Sequence, residues 1–251
     1  MNELELELAL SSDMRDELVA ELKKLAVSYG LTVSQDVLYG CLDHLLMVVD
    51  VNRHMNLTRI TTPHEALVLH ILDSLLLLPL FSRAPDGAYL DMGTGAGYPG
   101  IPLALASGRS TVLLDSVGKK VQAVKEFCDA LNLSHVSCVH DRLESYAVSA
   151  RGEFAIVTAR AVASLPVLVE YATPFLATDG LFIAAKAHPS DEELVAGRVA
   201  AEKCGLEQID CIEFDLPLEL GHRTVICYRR MRKPLVKLPR AVGMAKKSPL
   251  A

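Results

Sequence analysis

The architecture of this chain turns on one stretch, YLDMGTGAGYPGIPLALA, residues 89–106. Gly95, Gly97 and Gly100 spell G-x-G-x-x-G straight after an apolar run, where a strand would pass through a tight turn into a helix. Gly93 and Asp91 extend the pattern to D-x-G-x-G-x-G. Glycine lets a chain bend sharply and lets bare backbone approach a ligand. Pro99 and Pro102 suit the first turn of the helix that follows. In open α/β sheets such a turn lies beyond the carboxyl ends of the strands, near the switch point where ligands bind.

Charge separates the candidate ligands. A dinucleotide brings a pyrophosphate to the helix N-terminus, and the carboxylate of Asp91 would repel it. S-adenosylmethionine has no phosphate and carries a sulfonium and an ammonium. At 4 Å the Coulomb difference is roughly 4 kcal/mol at an intermediate dielectric, enough to set a preference. The reading is therefore a cationic nucleoside, held near Asp91, Gly93 and Gly95. Asp115 closes the next apolar run, where an acid can bind both ribose hydroxyls of either ligand. A nicotinamide oxidoreductase on Gly95, Gly97 and Gly100 stays as the rival, with Asp91 against it.

Outward from the turn, short apolar runs alternate with helical patterns. Strands are predicted at 88–92, 111–115, 135–139, 154–159 and 180–186, and two more at about 207–214 and 223–229. Alternation over the first five argues a parallel, doubly wound sheet. The link DLPLELGH, 215–222, is too short for a crossover helix, so the last two strands should form an antiparallel edge hairpin. By analogy this is the class I, Rossmann-like methyltransferase sheet. Residues 1–80 read as a helical segment packed on the core, with helices over 16–30, 33–55 and 62–80. The last of these opens with Thr62 and Glu65 at capping-box spacing around Pro63.

Composition bounds the rest. A chain of 251 residues, 51% of them hydrophobic, can bury roughly 70–75% of its unfolded surface without staples. Six scattered cysteines form no C-x-x-C pair and read as reduced core thiols, which fits a cytoplasmic protein. The start, MNELELELAL, has no basic flank for a signal peptide. No apolar run reaches the roughly 18–20 residues of a membrane span, and LLLLPLF is broken by Pro79. No membrane association is expected, and the chain is read as a monomer. Net charge is −6, yet Gly221–Ala251 holds nine lysines and arginines and no acid. The remaining 220 residues, with 16 basic and 31 acidic side chains, stand near −15. Such asymmetry points to an anionic partner.

Several chemistries lack their parts. There is no Walker phosphate loop, no H-E-x-x-H, no G-x-S-x-G and no metal-ligand spacing. No Asn-Pro-Pro follows the fourth strand, and no Pro-Cys lies in the rim loops. What remains is transfer to an atom that is already nucleophilic.

Taken in order, NLTRI (56–60), HILDSL (70–75), LDMGTGAGYPGIPLA (90–104) and LLDSVGKKVQ (113–122) resemble the RsmG (GidB) methyltransferase family. So do TARAVASL (158–165), GHRTVICYRR (221–230) and PRAVGMAKKSPL (239–250). That family makes 7-methylguanosine in the decoding region (530 loop) of 16S ribosomal RNA. The resemblance implies S-adenosyl-L-methionine as cofactor, with contacts at Gly93, Tyr98, Leu143, Glu144 and Arg160 and the ribose on Asp115. It implies 16S RNA or the small ribosomal subunit as partner, with Lys186, Arg223, Arg229, Arg230, Lys237, Arg240 and Lys247 on its phosphates. It departs from the family at Ala187, where glycine usually follows the lysine, and at Ala245, where the tail usually carries proline. Guanine N7 has a lone pair and no proton, so attack needs positioning and no general base; His70 and His222 then read as structural. An S-adenosylmethionine enzyme with another substrate is the second alternative, and the acid-free tail argues against it. The organisation expected is a helical segment (1–80), a methyltransferase domain (81–230) and a basic tail (231–251).

Overall fold

The computed structural model describes residues 12–60, 62–160 and 163–251. The acidic start MNELELELAL lies outside the described residues.

Seven strands form one sheet: β1 (Ala88–Met92), β2 (Thr111–Asp115), β3 (Val136–His140), β4 (Phe154–Arg160), β5 (Leu176–Lys186), β6 (Leu206–Asp215) and β7 (His222–Arg230). Their order is β3-β2-β1-β4-β5-β7-β6, with β1 to β5 parallel and β7 antiparallel to both of its neighbours. The chain reverses direction across the sheet between β1 and β4, which places the glycine turn at the switch point. β1 and β4 are covered on both faces, which explains their near-continuous apolar runs, broken inside by Asp91 and Thr158. β5 begins four residues earlier than the sequence suggests. Asp179 takes a left-handed backbone (φ 60°), and the register shifts where Phe154 and Ile156 face Leu176 and Leu181. This bulge carries the strand past the polar Thr178–Asp179 pair.

The helices are α1 (Ser12–Ser28), α2 (Gln35–Asn52), α3 (63–75), α4 (Leu78–Phe81) and α5 (Gly100–Ser107). After them come α6 (Gly118–Ala130), α7 (Leu143–Ser149), α8 (Leu165–Ala172), α9 (Asp191–Cys204) and the short α10 (Met244–Lys247). The single helix read over 62–80 is interrupted. Its middle, Leu67–Leu72, is wound as a π-helix, and a break before Leu78 starts α4. The capping box is not closed either: Thr62 sits at the N-cap with its hydroxyl buried and without a partner among the described residues. By length and composition Pro63–Phe81 passes for a membrane span after all, but 67% of that window is buried inside the protein. It is a core helix.

Helices α1 to α3 share one apolar cluster with Leu216 of the β6–β7 hairpin and with Leu105 of α5. Tyr29 also donates its hydroxyl to the Asp215 carbonyl at 2.5 Å. The segment 231–251 is not a loose tail. Leu238 and Ala245 are buried in the main core beside α8, with Val236 and Leu250 packed against it. Of the six cysteines only Cys211 is exposed, and all six are free.

Candidate functional site

The site begins where β1 ends. Gly93, Gly95 and Gly97 all have left-handed backbones, with φ of 73°, 62° and 94°. The bend brings the Gly95 N–H onto Asp115 Oδ2 at 3.0 Å, tying the end of β1 to the end of β2. A side chain on Gly95 would meet nothing closer than 3.9 Å, so bare backbone faces open space here. Gly97 is needed for a different reason. A Cβ there would lie 2.8 Å from Ile101 and 2.9 Å from His44 Nε2, so packing, not a ligand, demands the glycine.

Asp91 corrects the sequence reading. It was expected beside the ligand, but it is fully buried under the turn and does not line the cleft. Its Oδ2 accepts the Gly100 N–H at 3.0 Å and its Oδ1 accepts the Thr158 hydroxyl at 2.8 Å. Burial pushes its pKa up to about 6, against the Thr158 hydroxyl, the Arg160 charge and the Gly100 amide. The acid still decides against a pyrophosphate, by another route. From Gly97 to Leu103 every N–H is already spent: Gly97 and Tyr98 on Thr94 O, Gly100 on Asp91, Ile101 on Gly97 O, Leu103 on Pro99 O. Pro99 and Pro102 have none to offer. The helix N-terminus that cradles phosphate in dinucleotide folds holds its own carboxylate instead.

Above the turn lies a cleft of about 460 Å³, within the usual range for small-molecule sites. Gly93, Gly95, Tyr98, Asp115, Leu143, Glu144 and Arg160 all line it, so seven of the eight residues assigned to the cofactor meet in one place. Asp115 is held by the Gly95 and Val117 amides at 3.0 and 2.9 Å. Each carboxylate oxygen has two lone pairs, so acceptor capacity remains for ribose hydroxyls. The donor set fits a zwitterionic nucleoside: acids at Asp115, Asp141 and Glu144, cations at Lys120, Arg142, Arg160 and Lys246.

Tyr98 forms the floor. Its ring stacks on His70 at 4.5 Å and 8°, and packs against His44 at 4.4 Å. The Arg160 guanidinium sits 5.8 Å over the same ring. Burial drives the pKa of both imidazoles down to about 3, helped at His70 by the charge of Arg160. Both are therefore neutral near pH 7 and weak as bases. His44 Nε2 bonds the Ala96 carbonyl at 2.9 Å, and His70 Nε2 bonds Thr58 Oγ1 at 2.9 Å. The π-helical turn carries His70 to Tyr98.

Behind Arg160 lies a residue the sequence reading missed. Asp73, 3% exposed, accepts Arg160 Nη1 on Oδ2 and Arg223 Nε on Oδ1, both at 2.9 Å. Arg160 also donates to the Leu69 carbonyl at 2.8 Å. Its signal was present: one acid inside VLHILDSLLLL must be paired if the helix is buried. His44, the buried imidazole of α2, was missed as well.

The cations expected on RNA do not assemble. Arg223 is committed to Asp73. Lys186 reaches Glu193 at 2.8 Å and the Ala163 carbonyl at 2.9 Å. Arg240 pairs with Glu170, which is 3% exposed. Arg229 donates to the carbonyls of Asp179 and Arg83, and Arg230 to that of Leu176. The antiparallel register sets Arg229 opposite Leu181, at the end of the sheet away from the cleft, so Arg229 and Arg230 are corrected to anchors of the sheet edge. The physical reason is that side chains on other elements, and carbonyls left free at the sheet edge, take up these cations before any RNA can. Lys237 and Lys247 are exposed.

The strand order, the glycine turn after β1 and the acid closing β2 define a class I S-adenosylmethionine-dependent methyltransferase fold. The chain is similar to a geranyl diphosphate methyltransferase solved in complex with SAM (TM-score 0.52, 12% identity, 67% of this chain and 90% of that one). It is also similar to a putative sarcosine dimethylglycine methyltransferase from Galdieria sulphuraria (TM-score 0.51, 13%, 68% and 89%). At these identities the likeness is one of fold alone. Within that fold the chain belongs to the GidB family, rRNA small subunit methyltransferase G, whose model matches residues 41–218. It is 36% identical over 242 residues to the ribosomal RNA small subunit methyltransferase G of Acetivibrio thermocellus, covering 94% of this chain and 99% of that one. The Deinococcus radiodurans protein of the same name is 40% identical over 202 residues, 79% and 80% of the two chains. The chain is thus an enzyme, a small-subunit rRNA methyltransferase.

Proposed function

We propose that this enzyme moves the methyl group of S-adenosyl-L-methionine to N7 of a guanine in the 530 loop of 16S rRNA, in the cytoplasm. The observation that carries the cofactor is the turn after β1: it shows bare backbone at Gly95 and an acid at Asp115, and from Gly97 to Leu103 offers no amide to a phosphate. When bound, the cofactor supplies a methyl group made electrophilic by its sulfonium. Asp115 would hold the ribose, Leu143 and Glu144 the adenine side, and Arg160, steadied by Asp73, the methionine carboxylate. Tyr98 gives the floor that shuts water out from below.

The acceptor follows from what the cleft can do. The imidazole lining it, His70, has its pKa pushed down to about 3 and is too weak a base to take a proton from a substrate, so a substrate needing its proton removed is poorly served. Guanine N7 needs none removed, and alignment is the enzyme's whole task. The family name supplies the small-subunit RNA. Transfer of labelled methyl to unmodified small-subunit RNA or particles, followed by mapping of the base, tests the assignment. Label on 7-methylguanine in that loop is expected; label elsewhere would overturn it.

Two further outcomes are expected. Asp115→Ala should weaken binding of S-adenosylhomocysteine by about 1.5–3 kcal/mol, roughly 10- to 150-fold. Calorimetry returning wild-type affinity in the folded variant would remove Asp115 from the ribose. Phosphate contacts should come from exposed lysines, so Lys237→Ala and Lys247→Ala should each lower the slope of log K against log salt by roughly 0.7. Arg229→Ala should leave that slope as it is, since its place opposite Leu181 lies at the end of the sheet away from the cleft.

A further inference from the structure

Residues 231–251 leave β7 at the end of the sheet away from the cleft and come back to it. Arg151 bonds the Leu238 carbonyl on the way, and Lys203 bonds that of Leu250 near the terminus. Between them Arg240 meets buried Glu170 of α8 through Nε at 2.7 Å and through Nη2. Its Nη2 also reaches the Ser248 carbonyl at 2.7 Å, so one guanidinium staples both ends of a loop to α8. Inside that loop the Gly243 N–H donates to Glu144 Oε1 at 2.8 Å, and Gly243 and Lys246 line the cleft beside Leu143. Gly243 takes a left-handed backbone (φ 81°) at this contact. α10, only four residues long, has little helical stability of its own. Its place depends on the staple and on Ala245, which is 1% exposed.

We propose that Arg240 is a positioning residue for the methyl donor: paired with Glu170, it holds Gly243 on Glu144 and sets Lys246 as the cationic wall of the cleft. The inference rests on the cofactor reading above. A bidentate arginine–carboxylate pair fixes both direction and distance, which a lysine cannot do. Glu144 is then oriented before any ligand arrives, because one of its oxygens is already held.

Calorimetry with S-adenosylhomocysteine, melting curves and tryptic cleavage after Lys246 and Lys247 test this on the full chain. Arg240→Met should lose affinity by about tenfold or more, and Arg240→Lys should recover part of it. S-adenosylhomocysteine should shield Lys246 and Lys247 from trypsin in the wild type and not in Arg240→Met. Lys246→Met, a change at an exposed side chain, should weaken binding several-fold with an unchanged melting temperature. It decides the matter if Arg240→Met fails to fold. Equal affinity in the wild type and in the folded variants overturns the role of Arg240 alone. A wild type that binds no S-adenosylhomocysteine overturns the cofactor assignment itself, and this inference with it.

Discussion

Replacing Asp73 by alanine should cost about 3–5 kcal/mol of folding stability, because it strips the partner from two largely buried guanidiniums at once. Arg160 and Arg223 approach the same carboxyl group from β4 and β7, with side chains 18% and 14% exposed. With the acid gone, Arg160 keeps the Leu69 carbonyl and Arg223 keeps the His222 carbonyl, and neither neutralises a charge. For a chain of this length the loss corresponds to a melting temperature lower by roughly 6–20 °C. Asp73→Asn should fall between, since an amide accepts on one side only. Cofactor affinity should drop with it, because Arg160 lines the cleft. A melting temperature unchanged in Asp73→Ala would show that this acid is not the joint between helix α3 and the sheet.

The second large effect belongs to Asp91. Its folded pKa is raised from 3.8 to about 6, so between those values the folded protein keeps a proton that the unfolded chain releases. The corresponding stability is complete below about pH 4, drains away as pH rises through about 6, and is flat above. Two units amount to about 3 kcal/mol. Asp91→Asn cannot ionise and should lack this decline, so the difference in unfolding free energy between the two proteins should change by that amount from about pH 4 to about pH 7. Parallel pH profiles would rule it out. Asp91→Ala is harsher: the Gly100 N–H loses its partner, at about 1–3 kcal/mol, and the Thr158 hydroxyl is left with the Tyr89 hydroxyl alone.

How much of this was legible follows from what a pattern can carry. β1 and β2 were read to the residue, because short, mostly apolar runs are set off there by the glycine turn and by Asp115. The π-turn in α3 was not, since Leu, Val and Ile surround it and a change of helical period leaves no mark in a uniformly apolar stretch. Seven of the eight residues assigned to the cofactor line one cleft, since motif spacing and the family resemblance both point to the ends of β1 to β4. Asp91 was misplaced because spacing does not say which way a side chain points. The arginines were misread for a related reason: counting nine cations and no acid in the last 31 residues hides partners such as Glu170 and Asp73, which lie elsewhere in the sequence.

Asp91 also bears on how the enzyme treats competitors. Under the proposed cofactor assignment, phosphorylated nucleotides would share ribose and purine with S-adenosylmethionine, so an acid at Asp115 would not tell them apart. At the glycine turn they would meet a seat already taken by the protein's own carboxyl group. Discrimination would thus be inherited from the unliganded state, by pre-emption rather than by a clash built for each rival.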